Sequence, residues 1–308
     1  MLDGKKDLLG LRELRAETIE KILDTAKTMK FILNQKNKKT GHLLGKSVVT
    51  LFYENSTRTR LSFELAAKYM SAFTSGVSAG GSSVAKGETL IDTARTIDAM
   101  GTDAIVLRHG MSGAPRLIAE YTAASVINAG DGMNEHPTQA LLDLFTMREV
   151  KGGLQGLKVA IVGDIAHSRV ARSNIWGLTK AGAEVSVGGP ATLIPAELGR
   201  TGVKVYHSVQ EAIVDADVVM GLRIQTERQK SGLFPSASEY ARFFGINEKR
   251  LALAKPDALL LHPGPVNRGV ELSGAAADCE QSRVNEQVTN GVAVRMAVLY
   301  LFTRREDE

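Results

Sequence analysis

Asn55-Ser56-Thr57-Arg58-Thr59-Arg60 joins two stretches of contrasting residue types, and this junction indicates the fold. Residues 47–53 before it are mostly β-branched or aromatic, as is typical of a buried strand. Residues 61–68 after it are mostly strong helix formers with apolar side chains at helical spacing. The sequence therefore predicts a strand, a tight polar loop and the N-terminus of a helix.

The loop places hydroxyl and guanidinium groups at a helix end, where the backbone carries a partial positive charge. Arg58 and Arg60 are costly there unless an anion offsets their charge, and phosphate suits the available donors. Residues two positions apart on a helix point about 200° apart, so we expect one of Arg58 and Arg60 to bind the ligand and the other to support the loop. An ordinary Ser or Thr cap beside two solvated arginines is the alternative.

Strand-like and helix-like stretches alternate along the rest of the chain. This order predicts an α/β fold with two doubly wound domains, each a parallel sheet flanked by helices and linked by interdomain helices. The predicted strands are 47–53, 72–77, 104–109, 125–129, 158–164, 184–187, 203–206, 217–223 and 258–262. The predicted helices include 11–34, 89–100, 114–124, 140–149, 173–181 and 286–303.

A glycine-rich break at residues 151–156 indicates the boundary between the domains. We expect residues 1–150 to form a first domain, completed by the C-terminal helix 286–308, and residues 151–285 to form a second. The two halves show no sequence repeat.

The chain has 308 residues, of which 44% are apolar and 23% charged, and its net charge is +4. This composition is typical of a soluble globular protein. Lys and Arg are scattered, which favours small anionic substrates over a nucleic-acid surface. The single cysteine, Cys279, excludes a disulfide framework and a cysteine-rich zinc site. No signal-peptide core precedes the first helix and no apolar run reaches about 18 residues, so we expect a cytoplasmic protein without membrane contacts.

Polar side chains follow several of the predicted strands. In open α/β sheets, ligands bind beyond the carboxyl ends of the strands. Arg108, Arg169 and Arg223 lie at such ends. Each alone is more often part of a surface ion pair, but three together favour a substrate set with several negative charges.

Two further strand-end motifs are candidates for binding. His136 and Gln139 lie three residues apart at the start of a helix, where they can face one ligand and donate to a carbonyl or phosphoryl oxygen. A structural histidine is the alternative. His262-Pro263-Gly264-Pro265 forms a stiff turn whose carbonyl groups have fixed directions.

Several chemistries are not expected. Residues 163–168 lack the G-x-G-x-x-G pattern and residues 81–88 lack the Walker spacing, so no nucleotide cofactor is predicted. A cysteine, a carboxylate pair or a metal-ligand cluster is missing from the predicted strand ends, which argues against covalent and metal catalysis. Lys86 lies in a Gly/Ser-rich loop that could close over an anionic site.

Ser56-Thr57-Arg58-Thr59-Arg60 and His136-Pro137-Thr138-Gln139 resemble the carbamoyl-phosphate signature of the aspartate/ornithine carbamoyltransferase family. The resemblance runs from about Leu8 to Leu301. Four motifs resemble the aspartate branch: Ser82-Ser83-x-x-Lys86-Gly87-Glu88, the run from His167 to Ser173, Arg223-Ile224-Gln225-x-x-Arg228 and His262-Pro263-Gly264-Pro265. The ornithine branch is expected to carry a His-Cys-Leu-Pro turn and an acidic set instead.

The resemblance implies that the amine of L-aspartate attacks carbamoyl phosphate directly, through a tetrahedral intermediate, in de novo pyrimidine (UMP) biosynthesis. No cofactor, metal or covalent intermediate is implied. The implied catalytic residues are Arg58, Thr59, Arg108 and His136. The implied carbamoyl-phosphate ligands are Ser56, Arg58, Thr59, Arg108, His136, Gln139, Gly264 and Pro265, and the implied aspartate ligands are Lys86, Arg169, Arg223 and Gln225.

The resemblance also implies a homotrimer in which the loop from Ser82 to Lys86 enters a neighbouring subunit's site. The sequence leaves open whether a regulatory chain or a dihydroorotase partner binds. Two alternatives stay open as well. One is ornithine carbamoyltransferase activity, and the other is a non-catalytic phosphometabolite-binding protein with a degenerate site.

Overall fold

The computed structural model describes residues 4–78, 87–224 and 236–303. The chain divides into two compact units, the first comprising Met1–Phe145 with Thr289–Glu308 and the second Thr146–Val288. Within the described residues, no helix is both long and apolar enough to cross a membrane.

The first unit contains a four-stranded parallel sheet. Its strands are β1 (Ser47–Phe52), β2 (Phe73–Ser78), β3 (Ala104–His109) and β4 (Ser125–Asp131), in the order β2-β1-β3-β4. From β1 the chain passes to β2 on one side and then to β3 and β4 on the other. The carboxyl ends of β1 and β3 therefore flank a topological switch point, which is where open α/β sheets bind ligands.

The second unit contains a five-stranded parallel sheet. Its strands are β5 (Lys158–Val162), β6 (Glu184–Gly188), β7 (Lys204–Tyr206), β8 (Val218–Gly221) and β9 (Leu259–Leu261), in the order β7-β6-β5-β8-β9. Here the switch point lies between β5 and β8. Two parallel sheets, each wound in both directions from a central strand, confirm the predicted fold class.

Eleven α-helices lie within the described residues. They are α1 (Ala16–Leu33), α2 (Thr57–Tyr69), α3 (Leu90–Ala99), α4 (Ala114–Ala119), α5 (Pro137–Lys151), α6 (Arg169–Lys180), α7 (Val209–Ile213), α8 (Ala237–Phe244), α9 (Glu248–Leu251), α10 (Gly274–Ala277) and α11 (Val284–Thr303). Short 3₁₀ turns occupy Ala191–Leu193 and Leu198–Thr201. The division between the two units falls inside α5 and again inside α11.

Each unit has its own apolar core, formed where strand side chains meet the covering helices. In the first unit Ile105 and Leu107 of β3 pack with Ile97 of α3 and Ile118 of α4. In the second, Val219 of β8 belongs to a cluster with residues of β5, β9 and α7. Burial of these groups is the main favourable term in folding each sheet onto its helices.

The first helix starts later than predicted. Its apolar pattern begins at Leu11, but the helix begins at Ala16. The backbone N–H of Leu11 donates to Glu135 Oε2 at 2.7 Å, and that of Arg12 donates to Glu135 Oε1 at 3.1 Å. Leu11 and Leu14 are buried. Their apolar side chains therefore belong to a buried segment outside the helix and not to a helix face.

The helix after β5 begins earlier than predicted, at Arg169 rather than Ser173. Ser168 is its N-cap, and its side chain accepts a hydrogen bond from the Ala171 N–H at 3.1 Å. This difference matters for the site because it places Arg169 in the first helical turn.

Candidate active site

The loop from Ser56 to Arg60 and the side chain of Arg108 lie at one edge of the first sheet. Phe52 at the end of β1 is paired with Arg108 near the end of β3. His109, the next residue, is paired with Asp131 at the end of β4. The sheet register therefore places the loop after β1 and Arg108 of β3 at the switch point. It places the segment after β4 at the neighbouring strand end.

Ser56 is the N-cap of α2, but its side chain makes no capping hydrogen bond, and the first turn of α2 contains no acidic residue. Arg58 is exposed, while Thr59 is buried. A helix end without a capping side chain or an acidic residue in its first turn favours an anion there. The alternative of an ordinary Ser cap loses its main support.

Arg60 differs from Arg58. Its Nε lies 2.9 Å from Glu64 Oε1, one turn along α2. Its guanidinium also lies against Gly76 of β2, where an added Cβ would collide with it. Arg60 therefore connects α2 to the neighbouring strand instead of standing in solvent.

Arg108 is held from two sides. Its Nη1 donates to the carbonyl oxygen of Ala129 on β4 at 3.2 Å. Its Nε lies 3.5 Å from Glu54 Oε2. The sequence did not predict that Glu54 would lie beside Arg108, although Glu54 is only two residues before Ser56. A carboxylate next to Arg108 offsets part of the positive charge that a phosphate would meet.

His109 lies beside Arg108 and packs against Tyr53, with the ring centroids 4.7 Å apart. Its Nδ1 accepts a hydrogen bond from the Met111 N–H at 2.9 Å. Burial lowers the pKa of His109 below 6.5, although the negative charges of Glu54 and Asp131 oppose this effect. The ring is therefore held neutral, with Nδ1 as its acceptor atom.

The segment between β4 and α5 is fixed by buried carboxylates. Asp131 accepts from the Gly113 N–H at 2.7 Å, from Asn128 Nδ2 at 2.8 Å and from the Glu135 N–H at 3.1 Å. These hydrogen bonds connect β4, α4 and the residue that precedes His136. Charge-assisted bonds of this kind hold a loop more firmly than neutral ones.

His136 and Gln139 lie at the start of α5, which begins at Pro137, three residues before the predicted helix 140–149. Both are nearly buried, with exposed fractions of 4% and 8%. The carbonyl oxygen of His136 accepts from the backbone N–H groups of Gln139 and Ala140. Gln139 Nε2 donates to Asp143 Oδ1 at 2.9 Å, one turn further along α5.

In the second unit, the predicted arginines flank the other switch point. Arg169 follows β5 at the start of α6 and is buried, and Arg223 follows β8 and is half-buried. His167 Nδ1 lies 2.8 Å from the carboxylate of Asp164, which is fully buried and also accepts from the His167 N–H. Asp164 thus fixes the loop that leads to Arg169.

Gly163 at the end of β5 has a φ of +130°, which side-chain-bearing residues rarely adopt. A Cβ there would lie 3.1 Å from both the Cβ and the carbonyl oxygen of Leu222. The close approach of the loops after β5 and β8 therefore requires glycine.

The turn after β9 carries the predicted Gly264 and Pro265. The Gly264 N–H donates to His262 Nδ1 at 2.8 Å, and the His262 N–H donates to Gln287 Oε1 at 3.0 Å. His262 Nε2 lies 3.4 Å from Glu271 Oε1, and both side chains are buried. His262 is therefore a structural support of this turn.

Two predicted aspartate ligands, Lys86 and Gln225, lie outside the described residues. The structure describes the other ten predicted site residues. It places Ser56, Arg58, Thr59, Arg108, His136 and Gln139 in the first unit and Arg169, Arg223, Gly264 and Pro265 in the second.

Two family descriptions match consecutive parts of the chain. The carbamoyl-P binding domain of aspartate/ornithine carbamoyltransferases matches residues 6–149. The Asp/Orn binding domain of the same family matches residues 155–302. The chain belongs to the aspartate/ornithine carbamoyltransferase family. The family assigned from the loop and helix motifs is thereby confirmed.

Curated members of the family resemble this chain over nearly its whole length. The aspartate carbamoyltransferase catalytic subunit of Acetivibrio thermocellus is 72% identical over 99% of this chain and 98% of its own length. The catalytic subunit of the same name from Ruminiclostridium cellulolyticum is also 72% identical, over 97% of this chain and 96% of its own.

Solved carbamoyltransferases share the fold. Aspartate transcarbamoylase from Trypanosoma cruzi, in complex with N-(phosphonacetyl)-L-aspartic acid, aligns with a TM-score of 0.88 and 28% identity over 97% of each chain. Ornithine carbamoyltransferase from Pyrococcus furiosus aligns with a TM-score of 0.86 and 32% identity over 96% of each chain. Backbone similarity therefore includes both branches and does not separate them.

Proposed function

We propose that this chain is a cytoplasmic enzyme that transfers the carbamoyl group of carbamoyl phosphate to L-aspartate in de novo pyrimidine biosynthesis. The observation that carries this proposal is the 72% identity, over 99% of the chain, to an aspartate carbamoyltransferase catalytic subunit. The anion-suited start of α2, next to Arg108 at the sheet's switch point, supports it. The products are N-carbamoyl-L-aspartate and phosphate.

Carbamoyl phosphate is bound in this proposal mainly by the first unit. Ser56, Arg58 and Thr59 bind the phosphate at the start of α2, because that helix end supplies donors and positive charge. Arg108, His136 and Thr59 donate to the carbonyl oxygen. Gln139 Oε1 and the backbone carbonyls of Gly264 and Pro265 accept hydrogen bonds from the carbamoyl amino group.

L-Aspartate is bound in this proposal by cationic and amide side chains: Lys86, Arg169, Arg223 and Gln225. Arginine forms paired, charge-assisted hydrogen bonds with carboxylates, so these residues suit a substrate with two of them. A cationic side chain such as that of ornithine would be repelled by the same groups.

The chemical step needs no protein nucleophile. The lone pair of the aspartate amine forms a bond to the carbamoyl carbon, and the carbonyl oxygen becomes an oxyanion that Arg108, His136 and Thr59 stabilise. As the C=O bond re-forms, the bond between that carbon and the bridging oxygen breaks, and the electron pair leaves with phosphate. The nitrogen loses a proton to the departing phosphate or to water. Arg58 neutralises the charge of the phosphate. The rate increase comes from positioning of the substrates and from electrostatic stabilisation of the transition state.

The direct test is an assay for N-carbamoyl-L-aspartate with purified protein, carbamoyl phosphate and L-aspartate. Parallel reactions with L-ornithine separate the two branches of the family. N-(Phosphonacetyl)-L-aspartic acid should inhibit competitively with carbamoyl phosphate. Product from ornithine alone would assign the chain to the other branch. Phosphate binding without any product would support the non-catalytic alternative.

A homotrimer with a shared Ser82–Lys86 loop is part of the proposal. Sedimentation would measure the oligomeric state, and an active monomer would contradict it. Mixing inactive Lys86→Ala with inactive Arg58→Ala subunits tests the sharing itself. If the loop acts in a neighbour's site, some hybrid sites contain both native residues and activity returns. A mixture as inactive as its components would contradict a shared site.

A further inference from the structure

Arg295 on α11 is a buried cation within the first unit, with only 4% of its surface exposed. Its Nη1 donates to the carbonyl oxygen of Gly291 at 3.0 Å, and its guanidinium carbon lies 5.2 Å from the centre of the Phe63 ring. Its Nε is buried and has no hydrogen-bond partner within the described residues. Burying a charged arginine costs free energy when some of its N–H donors lack hydrogen bonds. A nearby group of opposite charge would offset that cost.

The opposite charge comes from Asp143 on α5, a residue with no exposed surface. Burial lowers the pKa of Arg295 to about 10, and the nearby carboxylate of Asp143 opposes that effect. At neutral pH the guanidinium is still protonated. It is therefore a fixed cation inside the protein, and a nearby cation favours the charged form of a carboxylate.

The hydrogen bond to Asp143 determines how Gln139 is oriented. A carboxylate only accepts hydrogen bonds, so the group of Gln139 that faces Asp143 Oδ1 at 2.9 Å is its amide nitrogen. The amide oxygen is consequently the atom left for a ligand. A neutral or absent partner at position 143 would allow the amide to turn over.

Arg295 also packs on α2 through Phe63. The same helix carries Arg58 and Thr59 at its start. One buried guanidinium thus contacts the helix that supplies the phosphate-binding loop and attracts the carboxylate that orients Gln139.

Gly291 makes room for this arrangement. A glycine inside a helix is less favourable than alanine, so its presence in α11 calls for a reason. A Cβ at this position would lie 2.6 Å from Arg295 Nη1 and 3.2 Å from Leu142 Cδ2. The guanidinium occupies the space that a side chain at 291 would need.

We propose that Arg295 and Asp143 are positioning residues that hold the Gln139 amide with its oxygen towards the carbamoyl amino group. They thereby set the preference of the site for carbamoyl over acetyl-type phosphates, which lack that N–H donor. This inference rests on the proposed function, because it takes Gln139 as a carbamoyl-phosphate ligand.

The test uses two stable ligands that differ only at the group in question. Phosphonoacetamide ends in NH₂, and 2-oxopropylphosphonate ends in CH₃. Calorimetric titration gives a Kd for each, and their ratio measures selectivity for the amino group without any turnover. The wild-type protein should prefer the amide.

The informative variants are Asp143→Asn and Arg295→Met. Each should reduce the selectivity ratio about tenfold, the value of one hydrogen bond, while the Kd of 2-oxopropylphosphonate changes less than twofold. The double variant should lose no more than either single variant, because both act through Gln139. Met296→Leu, a similar-sized change at the neighbouring buried position of α11, is the matched control and should leave the ratio unchanged.

Gly291→Ala is the second test, because it moves the guanidinium while keeping both charged groups. It should also reduce the ratio, even if thermal unfolding shows that the other variants fold poorly. A purely structural role would weaken both ligands equally, and that result would overturn the proposal, as would an unchanged ratio. The proposed function fails separately, if the wild-type protein forms no N-carbamoyl-L-aspartate.

Discussion

Arg60 Nε lies 2.9 Å from Glu64 Oε1, whereas Arg58, two residues earlier in the first turn of α2, is exposed at the edge of the sheet. The two arginines of one loop therefore have different surroundings. They form a matched pair for separating ligand binding from stability.

Arg58→Ala should lower kcat/KM for carbamoyl phosphate by about 10²- to 10³-fold, because it removes a cation that stabilises the departing phosphate. Its unfolding curve should stay close to that of the wild type, because replacing an exposed side chain usually changes stability little. Arg60→Ala should keep most of the activity and lower the free energy of unfolding by less than about 1 kcal/mol, as expected for a partly exposed ion pair. Near-normal turnover by Arg58→Ala would refute its assigned role.

Glu54→Gln should tighten the binding of inorganic phosphate. Glu54 Oε2 lies 3.5 Å from Arg108 Nε, so its charge opposes an incoming anion. Removing that charge should lower the Kd by about three- to tenfold at low salt and less at high salt. Glu64→Gln removes the same charge from beside Arg60 and serves as the control. Equal effects of the two substitutions would mean that proximity to Arg108 is irrelevant.

His109 should make folding stability depend on pH. Its folded pKa is lowered by burial, so the unfolded chain takes up the proton first as the pH falls below 6.5. The stability from the neutral ring is complete above that pH and is lost towards the folded pKa. His109→Asn keeps an acceptor for the Met111 N–H without titrating near neutral pH. Urea unfolding at pH 7.5 and near pH 5 (about 1.5 units below the unfolded pKa) should show a smaller decline for this variant than for the wild type.

The exchange rate of the imidazole C2 hydrogen, followed by mass spectrometry, gives an independent measurement. The His109 titration midpoint should fall below 6.5. A midpoint above that value would contradict the effect of burial.

Gly163→Ala should destabilise the second unit by about 1–3 kcal/mol, because position 163 has a φ of +130° and its Cβ would press on Leu222. Gly153→Ala is the matched control, since an added Cβ there meets nothing within 4 Å. The control should be neutral or slightly stabilising. Equal unfolding midpoints for the two variants would show that the loop after β5 adapts freely.

Most strands were predictable because they are short apolar runs bounded by polar residues or glycine. The run of residues 47–53 is realised as β1, and residues 104–109 as β3. Helices α7 to α10, with four to eight residues each, were not predicted. Such short segments contain too few turns for an apolar period to be visible.

The start of α1 was mispredicted for a different reason. Leu11 has the apolar character of a helix face, but its N–H is bound by Glu135, which is far away in the chain. A long-range hydrogen bond of this kind leaves no local signal. The division of residues 1–150 and 151–285 into carbamoyl-phosphate and aspartate domains stays a prediction, as do the roles of the individual site residues.

The sequence by itself determined the family, the two parallel sheets and the phosphate-suited loop from Ser56 to Arg60. These features depend on local composition and on the spacing of residue types, which can be read from the sequence without the tertiary structure. Only the tertiary structure decided that Glu54 faces Arg108 and that Arg295 attracts Asp143. Both depend on which side chains the sheet register and the packing of helices bring together. A buried charge acquires its partner only when folding excludes water from both.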